Sequence, residues 1–168
     1  MDLPSYYITT PIYYVNDVPH IGHAYTTLAC DAMARFKRLD GYQVLFLTGT
    51  DEHGQKVETA AKDRGLAPQE FTDQVSQNFR DLLPILNVSN DDFIRTTEKR
   101  HRVSAQTIWQ KLMNNGHIYL DKYSGWYSLR DETYFTETEL IDGNAPTGAP
   151  VEWVEEESYF FDLSAWQE

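Results

Sequence analysis

Cysteine is nearly absent from this sequence: Cys30 is the only one in 168 residues. A single thiol excludes an intramolecular disulfide and any zinc site built on several thiolates. Cys30 lies in an apolar, helix-like stretch, where a small buried hydrophobe is its expected role. Long hydrophobic runs are missing too, since no stretch approaches the ~20 apolar residues that a membrane helix needs. The opening Met1-Asp2-Leu3-Pro4 has neither the basic and apolar regions of a signal peptide nor the Arg-rich character of a transit peptide. A cytoplasmic location is therefore expected, and a trimmed organellar protein would read the same. Internal repeats and low-complexity tracts are also lacking.

Positive charge is scarce in one region. From Asp131 onward there are eleven acidic residues and no Lys or Arg, whereas residues 1–130 hold fifteen acids and fourteen bases; together these give the net charge of -12. A surface that grips a nucleic-acid backbone is locally basic. The last part of the chain is thus a poor docking surface for RNA, and its acids read as a solvated face. What is present is a globular composition, 41% hydrophobic and 14% aromatic, enough for one compact core with a small insertion.

Tyr6-Tyr7-Ile8-Thr9-Thr10 is rich in strand formers and ends at Pro11. After a loop through Asn16, Asp17 and Pro19, a helix is expected from about Gly22 or His23. Tyr25, Leu28, Ala29, Ala32, Met33, Phe36 and Leu39 recur at its three-to-four spacing, and Gly41 ends it. Gln43-Val44-Leu45-Phe46-Leu47 suits a buried parallel strand. Strand, helix, strand in that order makes a βαβ unit with a right-handed connection. A helix follows over 54–64, stopped by Gly65. Pro68 opens another, with Phe71, Val75, Phe79, Leu82 and Leu83 on one face and Pro84 ending or kinking it. Phe93-Ile94-Arg95-Thr96 is a short strand. The segment 98–114 is helical, with Ala105, Ile108, Trp109, Leu112 and Met113 in one stripe and Gly116 after it.

Beyond Gly116 the pattern changes to short β-like pieces: Ile118-Tyr119-Leu120, Trp126-Tyr127, Tyr134-Phe135, Val151-Glu152-Trp153 and Tyr159-Phe160-Phe161. Turn residues such as Asp142-Gly143-Asn144 separate them. The expected organisation is an α/β nucleotide-binding unit over 1–116, a small β-rich insertion over 117–161, and the start of a truncated helix over 162–168.

The most informative stretch is Pro11-Ile12-Tyr13-Tyr14-Val15-Asn16-Asp17-Val18-Pro19-His20-Ile21-Gly22-His23. A loop that leaves the carboxyl end of a parallel strand and enters a helix is where open α/β sheets bind ligands. The helix N-terminus offers free N–H groups and positive partial charge to phosphate. The two histidines can donate hydrogen bonds to phosphoryl oxygens, and the glycine lets a flat base or ribose approach the backbone. Alone, His-x-x-His is weak: a partial metal site and two surface histidines are the plain alternatives.

His20-Ile21-Gly22-His23 resembles, letter for letter, the signature of the class I aminoacyl-tRNA synthetases. Thr10-Pro11-Ile12-Tyr13-Tyr14-Val15-Asn16 before it is similar to the methionyl branch of that family. Thr48-Gly49-Thr50-Asp51-Glu52-His53-Gly54 resembles the branch's second motif, and Val151-Glu152-Trp153 and Glu156-Glu157-Ser158-Tyr159-Phe160-Phe161 look like it as well. The resemblance implies a Rossmann-like α/β fold, its amino-terminal half here, followed by a connective insertion. It implies ATP-dependent activation of methionine and transfer to tRNA(Met), with magnesium accompanying ATP. The family's lysine-rich second signature is not in these residues, so the chain alone is expected to be inactive, with most tRNA contact lying outside it.

Roles carried over from the family make His20 and His23 the catalytic pair on the ATP phosphates, with Gly22 facing the nucleotide. Ile12 and Tyr14 fall at the methionine pocket, where an apolar wall and a ring edge suit a thioether; packing at a strand end is the alternative. Asp51 falls where the substrate ammonium binds, or it caps the next helix. Glu52, His53 and Lys56 receive no role. Many methionyl enzymes carry a zinc knuckle, and Ser128, Asp131, Ala145 and Gly148 stand at its ligand spacing. Such a set cannot hold structural zinc, so none is expected; hydrogen bonds and the aromatics Trp126, Tyr127, Tyr134 and Phe135 are expected to hold residues 124–150 instead. The rival readings are a related class I enzyme for another amino acid, a non-catalytic nucleotide-binding module, and a two-histidine metal protein.

Overall fold

A computed structural model describes residues 3–167. The chain divides into two compact units, the first running to Ala105 and the second starting at Gln106.

The first unit is built on a four-stranded parallel sheet. Strand β1 (Ser5–Thr9) leads through β2 (Tyr13–Tyr14) and helix α1 (Ile21–Leu39) into the long β3 (Gln43–Asp51). Helices α2 (Gln55–Asp63) and α3 (Pro68–Ile85) follow, then β4 (Asp92–Arg95); helix α4 (Lys99–Asn114) begins in this unit and ends in the second. All three other strands pair with β3. Its first half takes β1, with Ser5 opposite Gln43 and Thr9 opposite Leu47. Its second half takes β2, with Tyr14 opposite Asp51, and β4, with Thr50 opposite Arg95.

The core gathers Tyr13, Val15, Val57, Ala61, Phe71, Val75, Phe79 and Phe93. Full burial of side chains such as Phe71 and Val75 contributes roughly 1.5–3 kcal/mol each. The expected apolar face of α3 is the buried one, with Thr72 and Ser76 tucked in beside it. Pro84 sits in the last turn of α3, which ends one residue later at Ile85. Gly41 follows α1 with a φ of 84°, the left-handed geometry that ends a helix cheaply only at glycine.

Helix α1 corrects one expectation. Its periodic apolar residues are not the face it buries: Tyr25, Phe36 and Leu39 are exposed, and the buried residues are Thr27, Asp31 and Ala34. The polar face can be buried because it is satisfied. Asp31 accepts from the amide and hydroxyl of Ser89 and from Arg35, while Arg38 donates to Ser89 and Asp91. Burial pushes the Asp31 carboxyl up, but these hydrogen bonds outweigh it and hold it below its usual value.

The second unit holds an antiparallel sheet in the order β6–β5–β7. Its strands are β5 (Ile118–Ser128), β6 (Thr133–Phe135) and β7 (Glu152–Phe161). The short pieces expected from the sequence are thus parts of longer strands. Ile118-Tyr119-Leu120 and Trp126-Tyr127 are the two ends of β5, joined through Asp121–Gly125. Apart from Tyr123, those residues have little strand propensity of their own; pairing with Val154–Ser158, including Lys122 opposite Glu157, extends them. Trp126, Tyr127, Tyr134 and Phe135 meet where β5 pairs with β6, and Trp126 packs edge-on against Trp153 at 5.4 Å. Asp142 and Gly143, with φ of 51° and 76°, make the tight turn between the bridged Ile141 and Asn144. After β7, a short 3-10 turn covers Leu163–Trp166, with the Ala165 amide and the Ser164 hydroxyl donating to the Asp162 side chain.

Candidate functional site

The loop between β2 and α1 folds around an open concavity of about 360 Å³ at the carboxyl edge of the sheet. Pro11, Ile12, Tyr13, Tyr14, Asn16, Asp17, Val18, His20 and His23 line it. Alternation along β2 sorts its two tyrosines. Tyr13 turns into the core, with its hydroxyl 2.8 Å from that of Thr27 and its ring stacked on Phe79. Tyr14 points the other way and is 57% exposed, with Ile12 at 39%, so both offer apolar surface to a ligand.

His20 and His23 form a reciprocal cap on α1. The Gly22 amide donates to Nδ1 of His20, and the His20 amide donates to Nδ1 of His23, each at 3.1 Å. This is a capping box made of imidazoles, satisfying amides that a helix start leaves unpaired. It also decides the chemistry. A ring whose Nδ1 accepts an N–H carries its proton on Nε2 when neutral. With both Nδ1 atoms accepting backbone N–H groups, the pair is left with its Nε2 atoms to donate beside the first turn of a helix. Burial, helped by the nearby His20, lowers the pKa of His23 and favours that neutral form. The rings stack with centroids 3.8 Å apart, and His23 is further held edge-on by Tyr13 at 4.8 Å and Phe79 at 5.1 Å. Tyr13 and Phe79 are supports that the motif alone did not reveal; the parity of β2 and the buried face of α3 were the available signals.

Gly22 lies under the His20 ring. A Cβ there would stand 2.9 Å from Cε1 and 3.1 Å from Nδ1 of His20. One close approach at Gly22 is thus to a side chain of the same loop.

Asp51 is the last residue of β3, half-buried beside Tyr14, and is not among the residues lining the concavity. It does not cap α2, whose N-cap is Gly54. Its carboxylate has no hydrogen-bond or ion-pair partner among the described residues, which leaves it available to a cation.

Glu52 behaves in the opposite way. Its side chain is wholly buried and accepts from Arg95 through Nε (2.6 Å) and Nη2 (2.9 Å), from Thr50 (2.8 Å) and from Thr97. Burial raises its pKa, but these hydrogen bonds and the guanidinium charge win and hold it below the usual carboxylate value. Arg95 also donates to Asp73 of α3, which ties three elements together. No role for Glu52 is legible locally, because its partner lies 43 residues away.

Among the described residues no group of three or more His, Cys, Asp or Glu could hold a metal ion. Asp131 instead gathers hydrogen bonds. Ser128, Thr147 and Arg130 donate to its carboxylate, and Arg130 also reaches the Thr147 carbonyl at 2.8 Å. Ser128, Ala145 and Ala149 are buried around this knot.

Comparison with known proteins gives this geometry a family. The profile of the tRNA synthetases class I (M) matches residues 6–157. The chain is 65% identical over 165 residues to the methionine–tRNA ligase of Rickettsia felis, covering 98% of the chain and 32% of that protein. It is 56% identical over 172 residues to the Rhizobium meliloti ligase, covering 99% of the chain and 33% of that protein. Among solved structures, Mycobacterium tuberculosis methionyl-tRNA synthetase in complex with methionyl-adenylate superposes with a TM-score of 0.87 at 50% identity, covering 98% of this chain and 33% of that one. The chain thus spans about a third of the length of the relatives it matches. Its parallel sheet, its histidine-capped helix and these matches agree: the chain belongs to the class I tRNA synthetases of the (M) family.

Proposed function

We propose that residues 1–116 are the amino-terminal half of the catalytic domain of a methionine–tRNA ligase, that 117–161 are its metal-free connective insertion, and that the whole protein works in the cytoplasm. No helix among the described residues is long and apolar enough to cross a membrane. The reaction is ATP-dependent formation of methionyl-adenylate, then transfer to tRNA(Met). The observation that carries this reading is the reciprocal His20–His23 cap at the start of α1, which leaves both Nε2 atoms to donate, set beside Ile12 and Tyr14 in one concavity.

In this reading the methionine carboxylate attacks the α-phosphorus of ATP and pyrophosphate leaves, with no covalent enzyme intermediate. The protein supplies alignment and charge stabilisation. His20 and His23 donate to phosphoryl oxygens whose negative charge grows as the bond to pyrophosphate breaks. Donation through Nε2–H needs no proton transfer. Asp51 pairs with the substrate ammonium, and Ile12 and Tyr14 contact the thioether side chain. Magnesium enters with ATP as part of the substrate. The acidic second unit is unsuited to an RNA backbone, so tRNA is met mainly by the remaining two-thirds of the protein, and residues 1–168 alone form negligible adenylate.

The test is ATP–pyrophosphate exchange by the full-length protein, screened across the standard amino acids. Exchange with methionine alone, abolished by Asp51→Ala, is the expected result. Exchange with another amino acid would move the specificity while keeping the chemistry. ATP binding without any exchange would instead mark a non-catalytic module.

A further inference from the structure

We propose that Glu52, locked to Arg95, is a positioning residue for methionine recognition: the pair sets where the Asp51 carboxylate stands without touching the ligand. This inference rests on the role given to Asp51 above.

Asp51 has no partner of its own among the described residues, so nothing but the backbone of the β3 terminus orients it. That terminus is gripped from the other face of the sheet. Side chains alternate along β3, and Thr48, Thr50 and Glu52 occupy the buried face at 1%, 0% and 4% exposure, leaving Asp51 opposite. On the buried face, Glu52 joins β3 to β4 through Arg95 and Thr97, while its own amide donates to the Thr96 hydroxyl at 2.8 Å. The Thr96 amide returns a bond to the Thr50 carbonyl at 3.2 Å. Arg95 and Thr50 extend the grip to Asp73 and Ser76 of α3. Glu52, the residue after Asp51, is thus held from several sides, and the His53 ring beyond it reaches the Thr96 carbonyl at 3.4 Å.

A buried ion pair is a poor source of stability, because desolvation offsets much of its attraction. A bidentate carboxylate–guanidinium pair does supply geometric definition. At this place the geometry it defines is the end of the strand that carries Asp51.

The experiment uses the full-length protein in ATP–pyrophosphate exchange, with methionine and ATP titrated separately, active sites counted, and thermal melting recorded. Glu52→Gln keeps the side-chain size and removes the charge. Thr97→Val removes one hydrogen bond and guards against a Glu52 variant that fails to fold. Misplacement of a ligand-contacting group costs up to about a hundredfold. The expected result is a roughly ten- to hundredfold rise in KM for methionine in Glu52→Gln, with KM for ATP unchanged. Thr97→Val should shift KM for methionine the same way, by less. In an Asp51→Asn background, Glu52→Gln should add nothing further.

An unchanged KM for methionine with fewer active sites would overturn the proposal, since that is what a purely structural role gives. Equal rises in both KM values, or additive effects with Asp51→Asn, would overturn it as well. A wild-type protein that exchanges with other amino acids but not methionine would overturn the functional reading itself, an outcome distinct from a methionine-active wild type with an indifferent Glu52→Gln.

Discussion

Replacing Gly22 by alanine separates two roles for the glycine. Glycine within a helix costs ~0.8–1.0 kcal/mol relative to alanine, so propensity alone predicts a gain. The structure predicts a loss of activity instead. The new Cβ would sit 2.9 Å from His20 Cε1, whereas carbon atoms prefer ~3.5–4.0 Å. The ring must therefore move by several tenths of an ångström or more, and it is seated by the Gly22 amide itself. Losing one preorganised donor to a developing negative charge costs about 10²–10³ in rate, or ~2.7–4 kcal/mol. In ATP–pyrophosphate exchange by the full-length protein, Gly22→Ala and His20→Ala should each lose roughly that factor in kcat, and the double variant should be no worse than either. If the glycine served the nucleotide independently, the losses would multiply to about 10⁴ or more. Such multiplication, or a Gly22→Ala variant of full activity, would refute the reasoning.

Three further outcomes can be checked separately. Gly49→Ala should destabilise the first unit by at least about 2 kcal/mol in denaturant titration, because its Cβ would meet the Ile94 carbonyl oxygen at 2.1 Å and force β3 from β4. Asp131→Ala should raise the protease sensitivity of residues 124–150, since that carboxylate collects the bonds from Ser128, Thr147 and Arg130; a chelator should leave the sensitivity of the unaltered protein unchanged. Glu52 is held below its ordinary value of 4.5 when folded, so the unfolded chain binds its proton more readily. Its contribution is complete above about pH 4.5 and is lost as pH falls through the lowered folded value. Glu52→Gln should accordingly flatten acid unfolding below that pH, as followed by circular dichroism.

The features legible in the sequence are those whose causes are local. The strand–loop–helix path to His20 and His23 was written in neighbouring residues, and so was the buried face of α3. The reciprocal histidine cap was within reach as well, because its four participating groups span Gly22 and its neighbours from His20 to His23. Periodicity placed α1 correctly but not its orientation: burial there follows a polar network that reaches 58 residues along the chain to Ser89. The interior of β5 was invisible because Asp121–Gly125 become strand only through their partners on β7. Asp51 is singled out by resemblance alone, and the Glu52–Arg95 pair next to it depends on a pairing of β3 with β4 that no local pattern encodes.

Single-turnover formation of methionyl-adenylate by the full-length protein tests the division of labour at this site most directly. His20→Ala and His23→Ala should slow the chemical step by about 10²–10³ while methionine binds as before, and Asp51→Ala should weaken methionine binding. Histidine variants that form adenylate at the wild-type rate would contradict the account.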